Sequence, residues 1–363
     1  MRPSIHIKNG NLILKDAVLK NSSLLIDGSK ISSVGKPRPD AKGAIIIDAE
    51  GCFVSAGFID CHIHGSPGKI FRNEARSGTT SFVVAESAAP LAKIYEDIES
   101  INKFVKTDPL GPNVLGVHIE GPYISLKKRG AQNPRYIKRP DAGEVPEIIK
   151  RCGSLLKIMT IAPELEGAIP LIKLLKRNGV IASIGHSDAT YKGALEGISA
   201  GARHATHLFN AMSGVNKSTR KTTSGVVTAV LSDNRVTTEV ILDLIHVHKS
   251  LFRLLLKSKP LDDIILITDS VRNTIKSGVY RLKDGTIAGS ALTMIKAVEN
   301  AVKAGGLSLV NAVRLATLNP ARFLGVDSRK GALEAGKDAD IVIFDRKFKV
   351  KVVIIRGKIA DSG

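Results

Sequence analysis

The stretch GFIDCHIH, residues 57–64, is typical of a buried strand, and seven further stretches of this kind follow it along the chain. They begin near residues 80, 113, 158, 180, 204, 236 and 264, at intervals of 23, 33, 45, 22, 24, 32 and 28 residues counted from residue 57. Helix-like stretches lie between them, at 91–105, 167–177, 190–200 and 249–256. This alternation predicts an α/β protein with a closed, TIM-like (β/α)8 barrel in preference to an open doubly wound sheet.

Short apolar runs bounded by turn residues stand on both sides of this pattern. The first 56 residues contain such runs at 11–14, 23–28, 30–35 and 44–48. Runs of the same kind occur again at 340–345 and 351–358. Because a lone two-stranded ribbon is barely stable in water, we expect both ends to form one small β-sandwich domain, residues 1–55 with 328–363. The barrel, residues 56–327, would be inserted between them. The alternative is two unrelated terminal hairpins.

The composition excludes several classes of protein. Hydrophobic residues make up 43% and charged residues 24% of the chain, which is a globular composition. The three cysteines, Cys52, Cys61 and Cys152, are too few for a disulfide framework and lack zinc-ribbon spacing. Neither a secretion signal, nor an apolar run of about 18 residues, nor a dinucleotide or P-loop motif is found. We therefore expect a cytoplasmic protein without a membrane span.

The charge balance is strongly basic, with 53 Lys and Arg against 34 Asp and Glu, a net charge of +19. The excess is spread along the chain, with short clusters only at 127–129 and 217–221. Aromatic residues are 4% of the chain and tryptophan is absent, so the usual base-stacking surfaces are missing. The sequence favours a solvated basic surface that draws in an anionic small molecule over a nucleic-acid groove.

Metal-binding residue types stand at the carboxyl ends of the predicted strands, where barrel enzymes place their catalytic groups. His62 and His64 are two apart on the first strand, so both rings can face the same side and share one cation. Glu120 has apolar neighbours, and a cation beside it would offset the cost of burying a carboxylate. The remaining candidates, at the ends of the fifth, sixth and eighth strands, are His186, His207 and Asp269. Together they predict a metal site.

Six motifs carry a resemblance to a known family: GFIDCHIHG (57–65), HIEGPY (118–123), GHSDAT (185–190), THLFNAM (206–212), TDS (268–270) and AGSALTM (288–294). In this order, and over nearly the whole chain, the sequence resembles the N-acetylglucosamine-6-phosphate deacetylases of the amidohydrolase superfamily. The resemblance implies a metal-dependent deacetylase that converts an N-acetylated amino-sugar phosphate to the free amine and acetate. It also implies a homodimer.

The resemblance assigns roles to the metal-type residues. Glu120, His186 and His207 match the family's main metal site, and His62 and His64 match a pair that some members use for a second ion. One or two divalent ions are therefore expected in each subunit. Zinc is the leading candidate, because imidazole and carboxylate groups suit it, although other transition metals accept the same ligands.

The resemblance also assigns catalytic and substrate roles. Asp269 matches the catalytic acid and base, and His246 matches a substrate-contacting histidine, with His248 as its competitor on the same stretch. Asn210, the backbone of Ala211 and Arg220 match the part that holds the phosphate, which in the family is partly supplied across a dimer interface. Gln132 and Ala131 are the other substrate candidates. This sequence departs from the family pattern mainly here, since Gln132 replaces a usual histidine, Leu244 a usual glycine, and residues 270–284 form a shortened stretch.

Two other readings stay open. The first is an amidohydrolase of the same superfamily that acts on another N-acyl or cyclic amide substrate, such as a dihydroorotase-like enzyme. That branch uses a modified lysine at the end of the fourth strand, where this chain reads IAPE at 161–164. The second is a catalytically silent barrel that serves as a scaffold or binds nucleic acid. A scaffold gains nothing from a costly buried acid, which favours the enzyme.

Overall fold

The computed structural model describes residues 4–35, 43–141, 143–217, 221–271 and 278–362. The described part of the N-terminal segment contains strands and no helix, as the alternating apolar pattern predicts. These strands are β1 (Ile5–Ile13), β2 (Val18–Asp27), β3 (Lys30–Gly35), β4 (Ile45–Asp48) and β5 (Phe53–Ala56). Among the described residues, no helix combines the length and the apolar character needed to cross a membrane.

The predicted eight-stranded α/β barrel is confirmed. Its strands follow in chain order around one sheet: β6 (Phe58–His64), β7 (Thr79–Ser87), β8 (Val114–Glu120), β9 (Leu156–Ile161), β10 (Ile181–Ile184), β11 (His204–Ala205), β14 (Thr237–Ile241) and β15 (Ile264–Ile267). The first and last strands meet where Ile63 bridges Ser270 in parallel, and the Asp269 N–H donates to the His62 carbonyl over 2.9 Å. The barrel strands are almost entirely buried, which explains why they read as continuous apolar runs.

Helices occupy the four predicted stretches and several others. In the second helix, Ile94, Ile98 and Ile101 are buried at the spacing of one helix face, which is why this stretch folds as an amphipathic helix. In the described residues the α-helices, beside several 3-10 turns, are α1 (Pro67–Glu74), α2 (Leu91–Thr107), α3 (Glu144–Cys152), α4 (Ala168–Arg177), α5 (Tyr191–Ala200), α6 (Val226–Ser232), α7 (Lys249–Ser258), α8 (Met294–Lys303), α9 (Leu309–Arg314) and α10 (Leu318–Phe323).

Two hairpins that the sequence did not predict interrupt the barrel pattern. They are β12 (Asn216–Lys217) with β13 (Thr222–Thr223), and β16 (Val279–Arg281) with β17 (Ile287–Ser290). Both are antiparallel and consist of very short strands, so their apolar pattern is too brief to distinguish them from loops.

The terminal segments pair in one sheet, as predicted. The C-terminal strands are β18 (Ile341–Phe344), β19 (Val350–Ile355) and β20 (Lys358–Ser362), and the strand order is β20-β19-β18-β5-β1-β2-β3, with β4 beside β1. The junction is the antiparallel pair of β5 and β18. Ile26 and Ile31 from one end of this order share a core with Ile354 from the other end, so the sheet folds around a single core.

The described residues fall into two compact units. One contains Cys61–Pro67 and Val83–Leu292, and the other contains Met1–Asp60, Gly68–Phe82 and Thr293–Gly363. The described candidate site residues all belong to the first unit. The boundaries inferred from the sequence, 1–55 with 328–363 and 56–327, stay a prediction.

Candidate metal centre and active site

The candidate ligands converge in two groups of three, drawn from the carboxyl ends of different barrel strands. Within each group, one possible ligand atom from every residue lies within 4.8 Å of the others. The first group is Glu120, His186 and His207, and the second is His62, His64 and Asp269. A further group of possible ligands, His62, His118 and Glu239, shares His62 with the second and includes two residues that the sequence did not propose as ligands. The structure thus brings together every described residue that the sequence proposed as a metal ligand or as the catalytic acid.

Glu120 lies at the centre of the first group. Its Oε1 is 2.8 Å from His207 Nε2 and 3.0 Å from His186 Nε2. Burial alone would raise the pKa of Glu120, but the charge of His62 and the hydrogen bond with His186 hold it well below its usual value. Glu120 is therefore an ionised carboxylate at neutral pH.

His186 is oriented by a backbone contact of its second ring nitrogen. Its Nδ1 is 2.9 Å from the carbonyl oxygen of Lys128, which can only accept a hydrogen bond. Nδ1 therefore carries the proton, and Nε2 points at Glu120 and at His207 Nε2, 3.1 Å away. This is the tautomer that a metal-ligating histidine needs, because its lone pair then faces the cation.

The second group places Asp269 against the two histidines of β6. Its Oδ1 is 3.2 Å from His64 Nε2 and 3.7 Å from His62 Nε2. Burial favours the protonated form of Asp269, but the hydrogen bond from His64 and the charge of His62 hold its pKa below the usual value. His62 Nε2 is also 3.7 Å from Glu120 Oε1, so the two groups adjoin.

Glu239 is a site residue that the sequence analysis missed. It is fully buried in β14, and its Oε1 is 2.8 Å from His62 Nδ1 and accepts the backbone N–H of His207 over 3.1 Å. His204 Nε2 lies 3.2 Å from its Oε2. An acidic residue inside the strand TTEVI, whose other positions are apolar or threonine, was the available signal, since a buried carboxylate needs partners.

His118 and His204 are buried histidines with structural partners. His118 Nε2 lies 2.7 Å from Thr160 Oγ1, and burial together with the nearby charge of His62 lowers the pKa of His118 to about 3. His118 is therefore neutral at physiological pH. His204 Nδ1 lies 2.8 Å from Thr237 Oγ1, so this threonine orients the ring.

Three of the key residues have a left-handed backbone. The φ angles are 46° at His186, 31° at His207 and 49° at Asp269, a region that non-glycine residues seldom adopt. Such conformations cost about 1–3 kcal/mol each and cluster at functional sites. Each of these residues stands at or just beyond a strand end, so the unusual backbone turns its side chain inward where a regular strand would continue.

A cavity of about 560 Å³ opens over the two groups and is lined by Glu120, His186, His207, His64 and Asp269. This volume suits a small molecule. Among the predicted substrate residues, those that line the same cavity are Ala131, Gln132, Asn210, Ala211 and His246. Apolar side chains complete the wall, from Ile241, Val271, Leu282 and Ile287.

His246, not His248, faces this cavity. His246 Nδ1 lies 2.6 Å from Asp243 Oδ2, and Asp243 also accepts the His246 backbone N–H over 2.7 Å. His248 is exposed, and its ring accepts the backbone N–H of Ser250 at the start of α7. Asp243 therefore holds His246 with Nε2 available for a ligand.

Gln132 contacts a candidate metal ligand. Its Oε1 accepts the Ala88 backbone N–H over 2.8 Å, and its Nε2 donates to Glu120 Oε2 over 2.7 Å. Asn210 Nδ2 donates to the carbonyls of His207 and Leu208, both over 3.3 Å. Arg220, the remaining substrate candidate, lies outside the described residues.

The donor set fits a divalent cation. Imidazole nitrogen and carboxylate oxygen are ligands that zinc and other transition metals accept. Glu120 and Glu239 carry pKa values well below normal although both are buried, so negative charge is concentrated between the histidines. A cation between these groups would balance that charge.

The family assignment agrees with this geometry. The family model described as the amidohydrolase family matches residues 53–360. The chain belongs to the amidohydrolase family.

The chain is similar to named relatives over most or nearly all of its length. It is 33% identical to N-acetylglucosamine-6-phosphate deacetylase of Bacillus subtilis (strain 168), over 99% of this chain and 98% of the relative. It is 32% identical to N-acetylgalactosamine-6-phosphate deacetylase of Escherichia coli O157:H7, over 86% and 88%. A solved structure that is similar is that of a variant N-acetyl-D-glucosamine-6-phosphate deacetylase from Mycobacterium smegmatis, in complex with N-acetyl-D-glucosamine-6-phosphate. The two structures superpose with a TM-score of 0.89 at 29% sequence identity, over 99% of this chain and 100% of that chain.

Proposed function

We propose that this protein is a metal-dependent deacetylase that hydrolyses N-acetylglucosamine 6-phosphate to glucosamine 6-phosphate and acetate. The observation that carries the proposal is the convergence of Glu120, His186 and His207 with Asp269 on one cavity. The full-length similarity to deacetylases of amino-sugar 6-phosphates supplies the substrate class.

In this proposal, Glu120, His186 and His207 hold one divalent cation, and His62 and His64, with Asp269, hold or adjoin a second. Zinc is the proposed ion because the donors are imidazoles and carboxylates. When bound, the cation would supply Lewis acidity, which promotes ionisation of water near neutral pH and polarises the amide carbonyl.

Asp269 is the proposed general base and acid. Since its pKa is below the usual value, the carboxylate is ionised and can take the proton of a water molecule as the oxygen bonds to the acetyl carbon. The same carboxyl then donates that proton to the sugar nitrogen as the C–N bond breaks. An amine leaves readily only when it is protonated, so one residue serves both steps.

The proposed substrate contacts lie around the same cavity. His246 Nε2 is free to donate or accept toward the sugar or its acetyl oxygen, because Asp243 engages its Nδ1. Ala131, Gln132, Asn210 and Ala211 line the wall, and the net charge of +19 favours the approach of an anionic phosphate. Arg220 as a phosphate ligand stays a prediction.

The galactosamine epimer is a second candidate substrate, because a relative that is 32% identical is named an N-acetylgalactosamine-6-phosphate deacetylase. The test is acetate release from four compounds: both epimers, each with and without the 6-phosphate, in parallel with metal analysis. We expect the highest kcat/KM for N-acetylglucosamine 6-phosphate. A preference for the galactosamine epimer would move the assignment to that sugar, and no acetate from any of the four by the metal-loaded protein would reject the deacetylase.

We further propose that the protein is a cytoplasmic homodimer. The exposed apolar residues Val215, Leu244 and Ile245, at 73%, 38% and 50% of full exposure, would be covered by association. Analytical ultracentrifugation of the purified protein tests the oligomeric state, and a monomer at micromolar concentration would contradict it.

A further inference from the structure

We propose that Glu239 is a positioning residue for both candidate cation groups, and that its removal lowers metal affinity, most strongly at the group of His62, His64 and Asp269. The inference rests on the proposed ligand roles of His62 and His207. It adds a residue that has no predicted role and that does not line the cavity.

Glu239 sets the tautomer of His62. A carboxylate only accepts hydrogen bonds, so the 2.8 Å contact of Glu239 Oε1 with His62 Nδ1 places the ring proton on Nδ1. The lone pair of Nε2 is then directed toward Asp269 Oδ1 and Glu120 Oε1, each 3.7 Å away. A gap of this length between ligand atoms leaves room for an ion to which both bind. A carboxylate behind a ligating histidine also raises the basicity of the ring.

Glu239 also holds the other group through the backbone. The same Oε1 accepts the His207 N–H over 3.1 Å, at a residue whose φ of 31° is strained. A hydrogen bond to an ionised acceptor is stronger than one between neutral groups and helps to maintain that backbone angle. The angle directs His207 Nε2 to Glu120, 2.8 Å away. One oxygen atom thus links a ligand of each group.

The third contact fixes Glu239 itself. His204 Nε2 lies 3.2 Å from the second carboxylate oxygen, and Thr237 engages the opposite nitrogen of that ring. Glu239 and His62 are both fully buried, so water does not compete for these contacts. In this low-dielectric setting, the carboxylate charge also attracts a cation more strongly than it would at the surface.

Two variants separate charge from shape. Glu239→Gln keeps the size of the side chain and an oxygen acceptor but removes the charge, and Glu239→Leu removes both charge and acceptor. The matched control is Glu144→Gln, since Glu144 accepts a 2.8 Å hydrogen bond from the Tyr123 hydroxyl within the same unit and belongs to neither cation group. Zn²⁺ is titrated into each full-length, metal-stripped protein, and the bound ions are counted by mass spectrometry.

We expect the affinity for Zn²⁺ to fall by about 10–100-fold in Glu239→Leu, by less in Glu239→Gln, and not at all in the control. Because the defect lies in metal affinity, excess Zn²⁺ should restore much of kcat, which a merely unstable variant would not show. If circular dichroism shows that Glu239→Leu is unfolded, the test uses the Zn²⁺ affinity of Glu239→Gln. Wild-type Zn²⁺ affinity in both variants, if both fold, would overturn the inference. If Glu239→Leu does not fold, wild-type Zn²⁺ affinity in Glu239→Gln would overturn it. Failure of the wild-type protein to bind Zn²⁺ would instead overturn the proposed ligand roles.

Discussion

Glu120 Oε1 lies 3.0 Å from His186 Nε2 and 2.8 Å from His207 Nε2, although these histidines stand 66 and 87 positions further along the chain. Burial would favour its protonated form, yet the surrounding histidines keep it ionised. This balance is the electrostatic reason why the site suits a cation, since negative charge is kept in a place that water does not screen. Its residue types were visible in the sequence as polar groups at the ends of apolar strands.

Asp269→Asn is the residue-scale test of the proposed chemistry. Asparagine keeps the shape of the side chain but cannot take a proton from water, so we expect kcat to fall by about a thousandfold. Zinc bound by Glu120, His186 and His207 should stay at the wild-type amount. Acetate release and metal analysis on the same preparation provide the measurement.

The matched control for this variant is Asp284→Asn. Asp284 accepts the Thr286 backbone N–H in a turn and lies outside both cation groups, so its variant should retain kcat. Activity of Asp269→Asn within a few fold of wild type would show that another group moves the proton.

At the scale of elements, the site depends on how closely neighbouring strands approach. Gly185 precedes His186 at the end of β10, and a Cβ atom placed there would lie 2.7 Å from Thr206 Cβ and 2.9 Å from Thr160 Cγ2. Real side chains do not tolerate such distances, so the adjacent strands must separate to accept one. The glycine of the GHSDAT motif therefore has a packing role next to a ligand.

Gly185→Ala should destabilise the protein by about 1–3 kcal/mol, because the extra methyl group overpacks the barrel interior. The displaced strand end should also reduce zinc affinity by moving His186. Chemical denaturation and zinc titration measure the two effects.

Gly193→Ala, in the helix that follows the same strand, is the control for this substitution. Its added Cβ would meet its nearest neighbours at ordinary contact distances of 3.6 and 3.7 Å, so we expect no loss of stability or of zinc. Equal effects of the two glycine variants would refute the role assigned to strand packing.

At the scale of the whole molecule, metal binding and folding should be coupled. Candidate ligands come from β6, β8 and the residues that follow β10, β11 and β15, so they meet only in the folded chain. An ion that binds the folded state alone stabilises it by mass action. The metal is thus expected to act as a cross-link among distant strands.

Removal of the metal by a chelator should lower the free energy of unfolding by about 2.7 kcal/mol, relative to protein in free Zn²⁺ at about 100 times its Kd. The measurement is denaturant unfolding with and without the chelator. In the variant His207→Ala, zinc content should drop and the chelator effect should shrink. A fully loaded His207→Ala variant would remove this residue from the ligand set.

Local patterns were sufficient to predict the barrel strands and the residues that end them. The stretch GFIDCHIH and the seven later stretches are apolar enough to be buried on both faces. This property can be recognised in each stretch without knowing which strands lie beside it. The pairing of the terminal segments followed from a similar argument, since neither end could form a stable sheet alone. The β16–β17 hairpin was not predicted, because its strands contain only three and four residues and give no clear pattern.

The sequence by itself was sufficient to predict the barrel and the small sheet domain, and to propose six metal-type residues as candidates, because burial and strand periodicity are properties of local sequence. Only the tertiary structure decided how those residues divide into two groups, that Gln132 donates to Glu120, and that Glu239 supports both groups. Hydrogen bonds act over about 3 Å, and Glu239 reaches His62 across 177 positions of the chain. Such contacts depend on the closure of the barrel, which brings the first and last strands together, and no local pattern specifies that distance.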